Sequence, residues 1–235
     1  MPLILNIETA TTVCSVALGL DGKLLASKEL NGEYTHAENL TVFIEEVMKQ
    51  AGKNLSELDA ISVSKGPGSY TGLRIGVSSA KGFCYSLNKP LIGINTLQHM
   101  ALSVSNSPTS NIQHPISVWC PMIDARRMEV YCALFDKENK FLLPTSALII
   151  DEKSFGDILS EEGKQLVFFG DGAEKCKNTL SHYSNAVFLP DIVPSAINMI
   201  PLSEQAFLAA KFEDIAYFEP FYLKDFVAGK KKKSE

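Results

Sequence analysis

Long hydrophobic runs, an excess of basic charge and paired metal-binding cysteines are all missing from this 235-residue sequence. No apolar run is long enough to span a bilayer, so the sequence predicts no membrane segment. The formal net charge of -5 argues against stand-alone binding to a polyanion, which needs a basic surface. The five cysteines show no Cys-x-x-Cys spacing, and the first residues lack the charged region of a signal peptide. We therefore expect reduced thiols and a cytoplasmic protein.

The common motifs for nucleotides, metals and nucleophilic serines are also absent. The stretch from Ser64 to Gly76 holds a glycine-rich turn, but its spacing fits neither a P-loop nor the dinucleotide fingerprint. A structural turn and an anion-binding turn both fit it, and the structural one is favoured. His36 has no second histidine four residues later, and His99 lies in an unrelated segment without a matching carboxylate. No Gly-x-Ser-x-Gly elbow is present. We predict no metal site and no catalytic residue.

The first part of the chain predicts three consecutive strands followed by helix, strand, helix and strand. These elements are Leu3 to Ile7, Val13 to Leu20, Lys23 to Leu30, Ala37 to Ala51, Leu58 to Val63, Leu73 to Leu87 and Leu91 to Ile94. Asp21-Gly22 marks the hairpin between the second and third strands. The order is that of one half of an actin-like ATPase, which belongs to the ribonuclease H-like folds.

A stretch rich in Ser, Asn and Pro, Ser103 to Pro115, predicts an exposed connection to a less regular second half. The elements predicted beyond it are strands at Ile116 to Ile123, Glu129 to Phe135, Leu148 to Ile150 and Leu166 to Phe169, and helices at Ser154 to Leu159, Ala173 to Tyr183 and Ser203 to Phe212. We expect two related α/β halves, at residues 1–102 and, in degenerate form, 103–228. Residues 229–235 form a basic tail whose Lys230 to Lys233 are expected to be solvated.

Small residues recur every four positions on the second predicted helix, at Gly72, Gly76, Ala80 and Cys84. A glycine inside a helix costs about 1 kcal/mol relative to alanine, so two on one stripe predict that another element approaches closely. The remaining sides of the helix are also apolar, which indicates burial on more than one side. Two interpretations stay open, a core helix and a core helix whose second face docks a partner protein.

Two polar turns are candidates for contact with a nucleotide. Glu8, with Thr9 and Thr11, lies in the first turn, where an actin-like hairpin holds phosphate and its acidic residue serves the metal. A surface turn explains Glu8 equally well. Gly170-Asp171-Gly172 follows a predicted strand and precedes a predicted helix, where an actin-like fold approaches adenosine, but a turn with a helix cap fits as well.

A third candidate is the charged connection around Arg126 and Arg127. An arginine pair can clamp a phosphate or a carboxylate. Asp124 and Glu129 lie beside the pair in the sequence. Ion pairs within this connection are the simpler explanation.

Four stretches of the sequence together resemble the TsaB family. They are ILNIETATTVCSVAL at Ile4 to Leu18, KGPGSYTGLRIG at Lys65 to Gly76, PLIGINT at Pro90 to Thr96 and IDARRMEVY at Ile123 to Tyr131. The resemblance covers most of the chain and is strongest in the first half. It implies a subunit of the bacterial complex that makes threonylcarbamoyladenosine in tRNA, beside the anticodon.

The resemblance also implies a role and partners. A TsaB protein is regarded as a non-catalytic scaffold that binds the catalytic subunit TsaD, with the ATPase TsaE as a further partner and tRNA reached through the complex. Alone, the chain is expected to form a homodimer. No cofactor is implied for this chain alone, while ATP or ADP and a metal fit the assembled complex. The family usually has Asp where this chain has Glu8, which weakens a nucleotide role there.

The two first-half helices correspond to the docking surface of the family. The residues that we expect to contact TsaD or a second copy are Leu40, Ile44, Tyr70, Leu73, Arg74, Gly76, Val77 and Ala80. The alternative function is a stand-alone actin-like ATPase or hydrolase, which depends on the turns at Glu8 and Gly170-Asp171-Gly172.

Overall fold

The computed structural model describes residues 1–32, 36–105 and 116–224. The first sheet is formed by strands from the N-terminal part of the chain. Its strands are β1 (Leu3–Glu8), β2 (Val13–Leu20), β3 (Lys23–Asn31), β4 (Ala60–Gly66) and β5 (Leu91–Asn95). They lie in the order β3-β2-β1-β4-β5, with β1 antiparallel to β2 and parallel to β4. The predicted hairpin is confirmed, since Asp21 and Gly22 have φ of 52° and 69°, the left-handed pair that such a turn requires.

Two helices, α1 (His36–Gln50) and α2 (Tyr70–Leu87), cover one face of this sheet. Both predicted helices are confirmed, and α2 begins earlier than Leu73 because the Ser69 hydroxyl caps it by accepting from the Gly72 N–H at 3.3 Å. The helix ends at Asn88, whose φ of 52° is left-handed. A short 3-10 turn, Leu55–Glu57, precedes β4.

The second sheet repeats the arrangement of the first. Its strands are β6 (Ile116–Asp124), β7 (Glu129–Phe135), β8 (Phe141–Ile149), β9 (Lys164–Phe169) and β10 (Ala186–Leu189). Read from β8, their order is β8-β7-β6-β9-β10, with β6 antiparallel to β7 and parallel to β9. This is the order and direction of β3-β2-β1-β4-β5, which confirms two related α/β halves.

The remaining helices are α3 (Thr96–Ser105), α4 (Gly156–Leu159), α5 (Ala173–Leu180) and α6 (Ile200–Leu208), with a 3-10 turn at Ala196–Met199. The sequence prediction lacks α3, because no glycine or proline separates it from β5. The Asn95 side chain marks its start by accepting from the Gln98 N–H at 3.1 Å. The prediction also lacks β10, shortens β8 and places α6 too late. Residues 106–115 of the predicted connection and the Lys230 to Lys233 tail lie outside the described residues.

Each half contributes an element that packs against the sheet of the other half. Helix α3 buries Leu97 and Met100 against the second sheet, together with Trp119. The segment after β10 returns to the first sheet, where Met199 and Ile200 pack on its other face. The predicted boundary at residue 102 stays a prediction. Within the described ranges, no helix combines the length and the apolar character needed to cross a bilayer.

Candidate functional site

A cleft of about 630 Å³ lies between turns that belong to the two sheets. One wall consists of the β1–β2 turn at residues 10–12 and the glycine turn at residues 67–71. The other wall contains the β6–β7 turn, residues 124–127, and Asp171. Residues 221–224, Ile123, Glu129 and Tyr131 also line the cleft. The cleft therefore collects three of the segments that the sequence marks as candidates.

Glu8, the predicted acidic contact of the first turn, points away from this cleft and into the interior. One carboxylate oxygen lies 2.6 Å from Nε2 of His99, and the other accepts from the Ala10 N–H at 2.5 Å. Neither side chain of the Glu8–His99 pair has any exposed surface. A ligand in the cleft does not reach this carboxylate, and the surface-turn interpretation is wrong as well. The two residues lie 91 positions apart, so no local spacing reveals the pair.

Thr9 and Thr11 have different positions relative to the cleft. The Thr9 hydroxyl is fully buried and donates to the Gly72 carbonyl at 2.8 Å, which ties the first turn to α2. Thr11 lines the cleft, and its hydroxyl accepts from the Val13 N–H at 3.3 Å. Of the three residues predicted to contact phosphate, Thr11 alone lines the cleft.

The β1–β2 turn also explains the small residues of α2. A Cβ added at Gly72 would lie 2.1 Å from the Thr9 carbonyl oxygen, and one added at Gly76 would lie 2.2 Å from the Thr9 hydroxyl. Ala80 and Cys84 continue the stripe into the core of the first half. The element that approaches this stripe closely is therefore the first hairpin of the chain itself, and no partner is needed to account for it.

Most of the residues predicted to contact a partner are inside the folded chain. Leu40, Ile44, Leu73, Gly76, Val77 and Ala80 are buried, because this side of α1 and α2 faces their own sheet. Their side chains therefore have little exposed surface to offer a partner, and their direct contact with one stays a prediction. Tyr70 and Arg74 reach the surface, where an Arg74 Nη1 group donates to the Tyr70 hydroxyl at 3.1 Å. An interface on the outward sides of the two helices stays a prediction.

The β6–β7 turn pairs its charges differently from the prediction. Lys175 forms an ion pair with Asp124, and Lys224 forms one with Glu129. The predicted pairing of these carboxylates with the arginines is therefore wrong. The Arg126 backbone N–H donates to Asp124 at 2.9 Å, but no ion pair of its guanidinium is found in the described part of the chain.

Gly170-Asp171-Gly172 forms the predicted turn between β9 and α5. A Cβ at Gly172 would lie 2.8 Å from the Ile123 carbonyl carbon, so the turn packs directly on the end of β6. The Asp171 carboxylate accepts from the Asp124 N–H at 3.0 Å. Asp171 is open to the cleft but surrounded by protein, and this desolvation raises the pKa of its carboxyl, with a smaller contribution from the Asp124 carboxylate.

No group of three His, Cys, Asp or Glu residues able to hold a metal ion exists among residues 1–32, 36–105 and 116–224. The cleft can nevertheless attract an anion, because the carboxylates of Asp124 and Glu129 are neutralised by lysines, which leaves two arginines against the single carboxylate of Asp171.

Comparison with known proteins places the chain among characterised sequences. Residues 31–231 match the family model described as "TsaD: tRNA N6-adenosine threonylcarbamoyltransferase". The chain is 32% identical to the tRNA threonylcarbamoyladenosine biosynthesis protein TsaB of Escherichia coli, over 97% of each chain.

Two solved structures show the fold. YeaZ from Pseudomonas aeruginosa superimposes with a TM-score of 0.79 at 23% identity, over 95% of this chain and 100% of that one. Component A of (R)-2-hydroxyglutaryl-CoA dehydratase from Acidaminococcus fermentans gives a TM-score of 0.51 at 10% identity, over 90% and 100%. The predicted actin-like ATPase fold is confirmed. The sequence match over nearly the whole length settles the family: the chain belongs to the TsaB family.

Proposed function

We propose that this chain is a non-catalytic subunit of a complex that makes threonylcarbamoyladenosine in tRNA, and that it binds a TsaD-like catalytic subunit. The names of its relatives support the pathway. The match of residues 31–231 to the TsaD model supports a partner built on the same fold. A TsaE-like ATPase and tRNA join through this complex, ATP or ADP and a metal belong to the assembly, and the protein works in the cytoplasm.

The observation that carries the non-catalytic role is the inward position of Glu8. An actin-like ATPase needs an acidic residue that serves the metal beside the phosphates, and here that carboxylate is sealed in the pair with His99. The remaining carboxylates of the β6–β7 turn, Asp124 and Glu129, are occupied by lysines. This supports binding rather than hydrolysis as the task of the chain.

The outward sides of α1 and α2 are the proposed docking surface. They carry exposed apolar groups, with Val42 47% and Tyr85 84% exposed, although Glu46 beside Val42 forms an ion pair with Lys28 of β3. Ser78, exposed in the middle of α2, offers a small side chain that lets another helix approach. The same surface can pair two copies of the chain, which gives the expected homodimer when TsaD is absent.

Light scattering after size exclusion, on the chain alone and mixed with its cognate TsaD, tests this proposal. Val42→Glu and Ser78→Arg place charge on the outward surface and are expected to abolish the complex without unfolding the chain. Ile149→Glu and Ser160→Arg, at exposed positions of the second half, are the matched controls. A complex that survives both docking variants contradicts the docking surface.

ATP turnover tests the alternative function in the same samples. Steady phosphate release from ATP by the isolated wild-type chain, lost in Thr11→Ala, would support an actin-like ATPase instead. We expect no release above the buffer rate.

A further inference from the structure

Arg126 and Arg127 form a doubly cationic turn in the wall of the cleft. The two carboxylates nearest in sequence are engaged elsewhere, Asp124 with Lys175 and Glu129 with Lys224. Among the described residues, no carboxylate forms an ion pair with either arginine. Apart from these two ion pairs, the cavity is lined by two arginines and one further carboxylate, Asp171, so a positive charge remains in the cavity of a chain whose net charge is -5.

The backbone of this turn makes arginine an expensive choice. Arg126 and Arg127 have φ of 71° and 50°, so both lie in the left-handed region. A residue with a Cβ costs roughly 1–2 kcal/mol there, whereas glycine and, to a lesser degree, asparagine adopt this region readily. Local strain retained at a cavity wall is typical of functional positions. The side chains, rather than the turn itself, therefore explain why arginines occupy these two positions.

Two aromatic rings line the cleft beside the positive charge, and the Arg74 guanidinium lies over one of them, Tyr70, at 5.2 Å from the ring centroid. The rings of Tyr70 and Tyr222 lie 5.1 Å apart between centroids, inclined by 36°, and both line the cleft. The hydroxyls of Ser69 and Thr71 lie on the same side. The volume of about 630 Å³ falls within the range of small-molecule sites, about 300–1,000 Å³.

We infer that this cleft binds the phosphate group of a nucleotide unit, held by Arg126 and Arg127, with the base packed on Tyr70 and Tyr222. A guanidinium pair supplies forked hydrogen bonds to phosphate oxygens. Aromatic rings stack on bases whatever their identity. The nucleotide comes either free in solution or as part of an RNA strand, since both present the same chemistry. The inference is independent of TsaD binding.

The test is equilibrium dialysis of the full chain against labelled AMP, labelled adenosine and the oligonucleotide ApApA without a terminal phosphate. The double variant Arg126→Asn/Arg127→Gly removes both charges and installs residues that adopt a positive φ readily, so it is expected to be at least as stable as the wild type. Lys49→Gln/Lys153→Gln removes the same charge at exposed positions away from the cleft and is the control.

We expect AMP or ApApA to bind the wild type and the lysine control equally, and to bind the arginine variant at least about tenfold more weakly, since forked charge-assisted contacts are lost. Adenosine is expected to bind weakly to all three proteins. AMP binding identifies a free nucleotide as the source, and binding of ApApA alone identifies RNA. Adenosine binding as tight as AMP, equal AMP binding to the arginine variant, or no binding of either phosphate-bearing probe would overturn the inference.

Discussion

Two glycines of the same helix, Gly76 and Gly82, should respond in opposite ways to replacement by alanine. A Cβ at Gly82 meets nothing within 4 Å, whereas a Cβ at Gly76 would lie 2.2 Å from the Thr9 hydroxyl oxygen and 3.4 Å from its Cβ. Alanine stabilises a helix interior by about 1 kcal/mol relative to glycine. Gly82→Ala should therefore stabilise the protein by about that amount.

At Gly76 the stabilisation of the helix by alanine is smaller than the cost of the clash with Thr9. Overpacking a filled core costs about 1–3 kcal/mol. The Thr9 hydroxyl must also move away from the Gly72 carbonyl, to which it donates at 2.8 Å, and losing a buried hydrogen bond costs about 1 kcal/mol or more. The net expectation for Gly76→Ala is a loss of about 2 kcal/mol in the free energy of unfolding. In a chain of this size, that corresponds to a Tm lower by roughly 4–8 °C.

Urea denaturation of the two single variants, together with Thr9→Ala and Thr9→Ala/Gly76→Ala, measures the effect and its cause. Removing the hydroxyl takes away the closest clash, so Gly76→Ala should cost little in the Thr9→Ala background. The double-mutant cycle should then give a favourable coupling of about 1–3 kcal/mol. Additive effects, or a Gly76→Ala variant as stable as Gly82→Ala, would refute this account of the stripe. For the same reason, bulky substitutions at Gly76 test folding and not partner binding.

Two further predictions concern buried ionisable groups. Glu8→Ala removes the acceptor of the Ala10 N–H and the partner of His99, and should lower the free energy of unfolding by about 3–5 kcal/mol. Glu8→Gln keeps one acceptor and should lower it less. Thermal unfolding measures both effects, and variants with the Tm of the wild type would contradict the pairing. Desolvation raises the pKa of Cys14 and Cys176 to about 11 and that of Cys84 to about 12, so these thiols should resist iodoacetamide at pH 8 until the chain is unfolded. The ordinary pKa of a cysteine thiol is 9.0, so above pH 9 the unfolded chain releases protons that the folded chain keeps. The free energy of unfolding should therefore fall as the pH rises from 9 to 11. A free energy of unfolding that is independent of pH in that range would contradict this prediction.

The elements of the first half could be predicted from the sequence because local signals define them. The Asp21-Gly22 turn, the Ser69 cap and the apolar face of α1 each leave a pattern within a few residues. Helix α3 leaves no such signal, because it follows β5 directly and its cap is the last residue of the strand. The second half is predicted less well, since β8 exposes most of its side chains and shows no buried alternation.

The sequence identifies several residues of the site, but it does not show which way their side chains face. Spacing along α2 identifies Gly76 and Ala80 as one stripe, yet it does not say whether the stripe faces a sheet or a partner. The lysines that pair with Asp124 and Glu129 lie 51 and 95 residues away, and sequence proximity favoured the arginines instead. Each of these contacts depends on tertiary packing between distant segments, which no local pattern records.

The positions of Glu8, Asp124 and Glu129 together determine which charges the cleft presents. With Glu8 turned inward, the first turn offers the cleft mainly Thr11 and backbone, and no negative charge. With Asp124 and Glu129 neutralised by lysines, the opposite turn offers Arg126 and Arg127. An ATPase of this fold places carboxylates where a metal and a water must be held, whereas this cleft places cations where a phosphate would rest. Asp171 is the one further carboxylate in the lining of this cleft, so two arginine charges face one carboxylate and the balance favours an anion. The positions of these carboxylates are consistent with the proposed binding subunit and make the arginine turn the place to look for its ligand.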